Sequence, residues 1–216
     1  GSIRAQDASG QPCNDFLGAN DPYAWSLSFV GDPWGSVSSV GGDIGTPGSY
    51  AKVPCDLSEP IAFCSAKAGL VCGTPVISAS GAPSATAASG FVLNAAPARS
   101  CRVGVFLYNT SQAAAAPFDG GFLCIAPMGL RRAGPTNSGG TAGNNCDGAF
   151  AIDMNTFARG LWSNPDCAGN PSGAPSNSPA AFLSTAGTNV YLQSWGRDSV
   201  ATGSFLSAGV GWTVGP

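Results

Sequence analysis

The stretch "RVGVFLYN" (102–109) carries apolar side chains on both faces of a predicted strand. At the two-residue period of a strand, the odd-numbered residues from Val103 to Leu107 share one face, and Phe106 and Tyr108 share the other. A strand that is apolar on both faces is expected between two layers of structure. The stretch therefore predicts a strand buried inside a layered β fold.

Other short apolar runs, bounded by Gly, Pro, Asn or Ser, are typical of strands joined by turns. They are "AWSLSFV" (24–30), "TPVISAS" (74–80), "GFVLNAA" (90–96), "GFLCIAP" (121–127), "GAFAIDM" (148–154), "NVYLQSW" (189–195) and "GVGWTV" (209–214). Helical spacing appears at 154–162, which predicts one short helix with Asp153 as its N-cap. The fold class is all-β: an antiparallel β-sandwich, jelly-roll or Ig-like, stapled by disulfides.

The chain divides into two unequal parts. Residues 61–216 contain most of the predicted strands and form the β-sandwich domain. Residues 1–60 are rich in turn formers and offer too little apolar sequence for an independent core, so we expect a loop-rich extension packed on the main domain.

Composition excludes several classes of function. The net charge is −3 without a basic stripe, so nucleic acid is not an expected partner, and no apolar run is long enough to span a membrane. The chain has no His, which rules out Ser–His–Asp and Cys–His sites and His-bound metals. A Ser–Lys pair would need Lys52 or Lys67, and neither lies in a recognisable motif. We therefore predict a non-catalytic protein in preference to an enzyme.

Eight cysteines in a chain poor in Lys and Glu indicate a secreted, extracellular protein held by disulfides. They are Cys13, Cys55, Cys64, Cys72, Cys101, Cys124, Cys146 and Cys167. Structural zinc is the alternative, but zinc sites usually use cysteines two to four residues apart. The two nearest cysteines here, Cys64 and Cys72, are wider apart than that.

Aromatic residues in turn-rich stretches are the candidate ligand-binding residues. Trp34 and Trp162 are the first candidates, and Tyr23 and Tyr50 are secondary ones. The flat apolar face of an indole matches the CH face of a pyranose, whereas the alternative role for each Trp is a plug over one end of the sandwich.

Most acidic residues lie beside turn formers, where Asp commonly caps a turn. The loop-rich first part of the chain, with Asp15 nearby, offers Asp21, Asp32 and Asp43 as a weak calcium site, and no other cofactor is predicted. In "WGRD" (195–198), Arg197 is expected to reach a carboxylate or carbonyls on a neighbouring strand. Asp198 is expected to fix the turn that follows it, so the pair is interpreted as structural.

Residues 64–216 resemble a family of secreted Cys- and Gly-rich β domains, often C-terminal, from planctomycete-type environmental bacteria. The resemblance is carried by "CSAKAGLVCGTPVISASGAPSATAASGF" (64–91), "PFDGGFLCIAP" (117–127), "CDGAFAIDMNTFA" (146–158), "QSWGRD" (193–198) and "LSAGVGWTVGP" (206–216). It implies secretion and a β-rich fold, and it carries over no site residue.

Cys101 and Cys167 stand where the resembling family usually lacks Cys, which implies that they pair with each other. The simplest full pairing then adds Cys13–Cys55, the local pair Cys64–Cys72, and Cys124–Cys146, although eight cysteines allow about 105 connectivities.

These features favour a secreted, non-catalytic module that binds an extracellular polymer, with carbohydrate as the first candidate. One alternative is a structural or adhesive cell-surface protein that associates with copies of itself. Another is an Asp-dependent polysaccharide hydrolase or lyase.

Overall fold

A computed structural model describes residues 60–141, 143, 145–168, 170, 179–198 and 203–216. The described residues form antiparallel strands almost throughout, which confirms the all-β prediction. The strands are β1 (Ile61–Phe63), β2 (Val76–Ser80), β3 (Val92–Ala98), β4 (Val103–Asn109), β5 (Ala113–Phe118), β6 (Gly121–Ile125), β7 (Arg131–Arg132), β8 (Thr136–Asn137), β9 (Gly148–Asp153), β10 (Asn189–Arg197) and β11 (Ser204–Thr213). The predicted strand at 24–30 and the predicted extension lie outside the described residues.

The largest sheet has six strands in the order β1-β11-β10-β4-β7, and β8 also pairs with β4. Its two faces bury different sets of side chains, as the sequence of β4 predicts. Phe106 and Tyr108 enter one apolar cluster, whereas Leu107 and the half-buried Val105 enter another on the opposite face. The six-stranded sheet is therefore the middle layer.

The inner layer is a three-stranded sheet in the order β2-β3-β9. Its core-facing side chains include Ile77, Leu93 and Phe150, and they pack against the β4 and β10 side chains of the middle sheet. This cluster is the larger of the two and contains most of the buried aromatic residues. The specific type of sandwich, jelly-roll or Ig-like, stays a prediction.

The outer layer is the β5–β6 hairpin, which covers part of the other face of the middle sheet. Its turn is formed by Asp119 and Gly120, both at positive φ (50° and 73°), between the paired residues Phe118 and Gly121. Two residues at positive φ are typical of the type I′ turns that Asp-Gly sequences favour. The sequence did not predict β5 as a strand, because its Ala-rich run has low β-propensity.

Gln193 fastens this hairpin to the middle sheet. Its side chain is fully buried, and Oε1 accepts a hydrogen bond from the Cys124 backbone N–H at 2.9 Å. Nε2 donates to the carbonyls of Phe122 (2.9 Å) and Ser207 (2.8 Å). The hairpin therefore has a fixed position relative to β10.

The predicted short helix is present as α1 (Met154–Ala158). Asp153 is its N-cap, as predicted, and accepts a hydrogen bond from the Thr156 backbone N–H at 3.1 Å. The helix ends earlier than the pattern suggested, because Gly160 has a φ of 71° that an α-helix does not continue through. Leu161, expected on the buried face, is therefore exposed.

Three disulfides join the described cysteines. Cys101–Cys167 is present as predicted, but the predicted pairs Cys64–Cys72 and Cys124–Cys146 are wrong: the structure pairs Cys64 with Cys124 and Cys72 with Cys146. Cys64 follows β1 and lies beside the outer hairpin that carries Cys124, whereas the tight turn at 69–73 directs Cys72 elsewhere. The predicted Cys13–Cys55 lies outside the described residues.

Candidate functional site

A half-buried Trp on the outer face of the middle sheet contacts the tip of the outer hairpin. Trp195 lies on β10, opposite Val105 of β4. Its indole Nε1–H donates a hydrogen bond of 2.8 Å to Oδ2 of Asp119, the first residue of the hairpin turn. Because Gln193 anchors the same hairpin two residues earlier on β10, the carboxylate is held next to the indole.

Two further side chains complete this arrangement, which we call the Asp119 cluster: Lys67, Asp119, Trp195 and Ser204. The Ser204 hydroxyl donates to the same Asp119 oxygen as the indole does. Lys67 Nζ donates to Ser204 Oγ at 2.9 Å and to the Asp119 backbone carbonyl, and it lies 3.7 Å from Asp119 Oδ2. The residues are brought together by an isolated bridge between Lys67 and Leu206 on β11.

The hydrogen bonds of the cluster favour an ionised carboxylate. The Ser204 hydroxyl, first, and the Trp195 indole, second, hold the pKa of the Asp119 carboxyl below its usual value of 3.8. The nearby Lys67 ammonium acts in the same direction. Since the side chain of Asp119 is 36% exposed, water screens these interactions, and the carboxylate is accessible from solvent.

The outer face beside the cluster forms a partly apolar surface, which we call the Trp195 surface: Val103, Val105, Trp195 and Arg197. Val105 and Trp195 are half-buried, while Val103 and Arg197 are exposed. The Arg197 guanidinium carbon is 6.0 Å from the centre of the Trp195 ring, at the outer limit of a cation–π contact. The surface thus combines an aromatic ring, aliphatic side chains and charged groups.

The Lys67–Ser204 contact resembles a Ser–Lys pair, but its surroundings suit binding better than nucleophilic catalysis. In a Ser–Lys site the amine accepts the proton of the hydroxyl, whereas here Lys67 Nζ donates its hydrogen bond to Ser204 Oγ. The Ser204 hydroxyl is buried and donates a hydrogen bond to the Asp119 carboxylate. The cluster therefore provides fixed donors and acceptors.

Trp162, predicted as a ligand-binding residue, is buried instead. Only 7% of it is exposed, and its ring meets Phe157 edge-on with 6.1 Å between ring centres. The chain turns at Gly160, so that Leu161 faces solvent and Trp162 faces the larger core cluster. Trp162 therefore fits the alternative role given for it, a buried side chain that closes the core, and not ligand binding.

The other predicted site residues lie outside the described residues: Trp34, Tyr23 and Tyr50 for the ligand, and Asp21, Asp32 and Asp43 for calcium. Within the described ranges, no group of three or more His, Cys, Asp or Glu side chains is arranged to hold a metal ion.

Asp198 has a structural role, as predicted, whereas Arg197 differs from its prediction. Arg197 is exposed, whereas Asp198 is fully buried. Asp198 Oδ2 accepts from the Val71 backbone N–H at 2.7 Å, and the Asp198 backbone N–H donates to the Gly203 carbonyl at 2.9 Å. After Trp195, the side chain of Arg197 falls on the outer face, and the end of β10 turns Asp198 inward.

Trp195 ends the strand pattern at 189–195, where core packing is the usual role of a Trp, because strand periodicity does not show how far a covering layer extends. The useful signal is "FDGG" (118–121), which follows the rule for a two-residue hairpin turn and precedes a predicted strand. That signal places Asp119 at the tip of a hairpin, although not beside Trp195.

The chain matches no protein-family model, no curated protein and no solved structure. In the part of the chain that the structure describes, no helix has the length and apolar character needed to cross a membrane.

Proposed function

We propose that this chain is a secreted, non-catalytic module that binds an extracellular polymer, with carbohydrate as the ligand class. The observation that carries this proposal is the half-buried indole of Trp195, held by its N–H bond to Asp119 on the outer face of a sheet. The ligand site is the Trp195 surface, in place of the buried Trp162.

The ring of Trp195 suits a sugar for two physical reasons. Its flat apolar face matches the CH face of a pyranose, and a stacking contact of this kind is worth on the order of 1–3 kcal/mol by analogy with base stacking. The hydrogen bond to Asp119 orients the ring before a ligand arrives, which lowers the entropy cost of binding.

Polar groups beside the ring supply the hydrogen bonds that a hydroxyl-rich ligand requires. Asp119 offers an accessible carboxylate as acceptor, and Lys67 and Arg197 offer donors. A few placed polar groups around an apolar contact are the usual composition of a small-molecule site.

Secretion is supported by the three disulfides among the described cysteines. Disulfides persist in oxidising compartments and are rare in the cytosol. An extracellular polymer is the ligand that such a location makes available.

The hydrolase alternative receives less support. A glycosidase needs one carboxyl group with a raised pKa to act as general acid. The two described carboxyl groups with shifted pKa values, Asp119 and Asp147, are both shifted downward. The fully buried Asp198 is not accessible to a polymer.

A polysaccharide panel tests the proposal, with retention on insoluble polymers and quenching of Trp fluorescence as readouts. We expect at least one polymer to bind the unmodified chain, and Trp195→Ala to weaken that binding about tenfold or more. Trp162→Phe is the matched control, because it changes a buried Trp of the same chain and should leave affinity unchanged.

Thermal melting of each variant separates lost binding from lost folding. The proposal fails if no polymer binds, or if folded Trp195→Ala binds as tightly as the unmodified chain. Release of reducing ends from a bound polymer would instead favour the hydrolase alternative.

A further inference from the structure

The strand β2 has an edge that no other described strand covers. It lies at the end of the inner sheet, pairs with β3 on one side, and makes no backbone hydrogen bond to any other described element. An edge of this kind presents unpaired N–H and C=O groups to a further strand.

The other described sheet edges are protected, and in the outer hairpin β5 contains Pro117 and a register shift, while the Gln193 side chain bonds backbone groups of β6. The edge strand β7 consists of Arg131 and Arg132, two exposed cations, and β1 is only three residues long. The far edge of β9 is covered at its start, where the Ala149 N–H donates to the Ser138 carbonyl at 2.7 Å. Charge, shortness and covering are the usual protections against edge pairing. The strand β2 has five residues and no charge, and none of the described segments covers its edge.

The sequence around β2 has no charge over a long distance. From Lys67 to Arg99, no Asp, Glu, Lys or Arg occurs between the two named residues. In a symmetric dimer each residue near the two-fold axis meets its own copy, so a charged edge would repel itself. A neutral edge lacks this repulsion and offers no charge that would select a different partner.

We propose that β2 pairs antiparallel with β2 of a second copy of this chain, which joins two three-stranded sheets into one six-stranded sheet. The two-fold axis passes through Ser78, so Ser78 faces its copy and Val76 faces Ser80 of the other chain. Val76 is 68% exposed, and the pairing covers it. Ile77 already faces the core, so the sheet continues without turning apolar side chains outward.

Five paired residues form a small interface, so the dimer is weak and becomes populated at high concentration or where many copies are held close together. This association uses the inner sheet and leaves the Trp195 surface on the outer face free. It therefore does not depend on the proposed polymer binding.

Sedimentation velocity of the full chain over a wide concentration range is the test. We expect the mass to rise from monomer to dimer with concentration, and Ser78→Lys to weaken dimerisation about fivefold or more because two like charges then face each other. Ala151→Lys is the matched control: Ala151 lies opposite Asn94, which lies opposite Ser78, so it belongs to the same cross-strand row but not to the β2 edge. It should change dimerisation by no more than about twofold.

Hydrogen exchange of the β2 amides gives a second measurement, since protection should increase with concentration in the unmodified chain. If Ser78→Lys does not fold, Ser78→Glu takes its place, because it also puts two like charges opposite each other. The proposal is overturned if the chain stays monomeric at every concentration. In that case, β2 amides that are protected at all concentrations would show that another segment of the same chain covers the edge. It is also overturned if Ser78→Lys dimerises as strongly as the unmodified chain, or if Ala151→Lys weakens dimerisation as much as Ser78→Lys does.

Discussion

Gly104 and Gly196 lie opposite each other on β4 and β10, and neither position has space for a side chain. A Cβ on Gly104 would lie 2.5 Å from Cε1 of Phe150. A Cβ on Gly196 would lie 2.7 Å from Cε2 of the same ring and 2.6 Å from Cε1 of Phe205. The pair of glycines therefore forms a recess in the middle sheet that the Phe150 ring fills. Gly196 also separates Trp195 from Arg197 on the outer face.

Substitution of either glycine should destabilise the fold through overpacking. We expect Gly196→Ala to lower the free energy of unfolding by about 1–3 kcal/mol, because the ring and the sheet have little room to move. Urea denaturation gives the value. A double variant with Phe150→Leu should recover part of the loss, since the smaller side chain frees space; strictly additive losses would contradict this explanation.

Asp198 should matter more to stability than its neighbour Arg197. Asp198→Ala removes the carboxylate that accepts from the Val71 N–H, and we expect a loss of about 1.5–3 kcal/mol, as for hydrogen bonds to charged groups. Arg197→Ala removes an exposed side chain at the limit of a cation–π contact, and the expected loss is about 0.5–1 kcal/mol. Equilibrium unfolding of both variants checks the order, and the reverse order would restore the interpretation of Arg197 as the structural residue.

The disulfide pairs can be read from peptides of the unreduced protein. Proteolysis and mass spectrometry should yield peptides that join Cys64 to Cys124, Cys72 to Cys146, and Cys101 to Cys167. Replacing Cys72 and Cys146 together by Ser should lower stability by about 2–4 kcal/mol, because the bond closes a long loop in the unfolded chain. A peptide that joins Cys64 to Cys72 would contradict the structure.

The strands that the sequence predicted are those with a strong local pattern. The stretch 102–109 has four consecutive apolar or aromatic residues, at 105–108, that divide between two faces, and each face packs into an apolar cluster in the structure. By contrast, β1, β7 and β8 have two or three residues, too few for a period to appear. Two of the predicted cysteine pairs, Cys64–Cys72 and Cys124–Cys146, are wrong for a related reason, since proximity in sequence does not show which layers meet.

The candidate site was harder to predict than the fold, because the exposure of its residues depends on how much of the middle sheet the outer hairpin covers. Trp195 and Leu192 both look like core residues in the sequence, yet Leu192 is fully buried and Trp195 is at the margin of the hairpin. The partners of Asp119 come from segments more than 50 residues away on either side, and no local pattern links them.

Asp147 should give the protein a pH-dependent stability on the acid side. The Ser100 hydroxyl, first, and the Thr141 backbone N–H, second, lower the pKa of the Asp147 carboxyl from 3.8 to about 2. The folded state therefore binds this proton less readily than the unfolded chain, so the contribution is complete above pH 3.8 and is lost as the pH falls to about 2.

Urea denaturation of the unmodified chain, Asp147→Asn and Ser100→Ala across this range measures the effect. The free energy of unfolding of Asp147→Asn should fall less steeply with decreasing pH than that of the unmodified chain. In Ser100→Ala, the loss of stability should begin at a higher pH. Parallel curves for all three proteins would show that the Ser100–Asp147 contact does not set the pKa.

Protonation of Asp119 should be visible in the fluorescence of Trp195. The bonds from Ser204 and from the Trp195 indole keep the pKa of this carboxyl below 3.8, so the indole keeps its charged acceptor as the pH falls through 3.8. Below the lowered pKa, the carboxyl becomes neutral and the Nε1–H bond weakens, which changes the surroundings of the ring. We expect the emission of the unmodified chain, minus that of Trp195→Phe, to change only below pH 3.8.

Asp119→Asn is the matched control, because the amide oxygen still accepts from the indole but does not titrate in this range. Its emission difference should stay flat over the same pH range, and far-ultraviolet circular dichroism should show that both proteins remain folded where the change occurs. A transition above pH 3.8, or the same transition in Asp119→Asn, would mean that a different group controls the emission. In that case the Asp119 carboxylate would not be what holds the Trp195 ring in place.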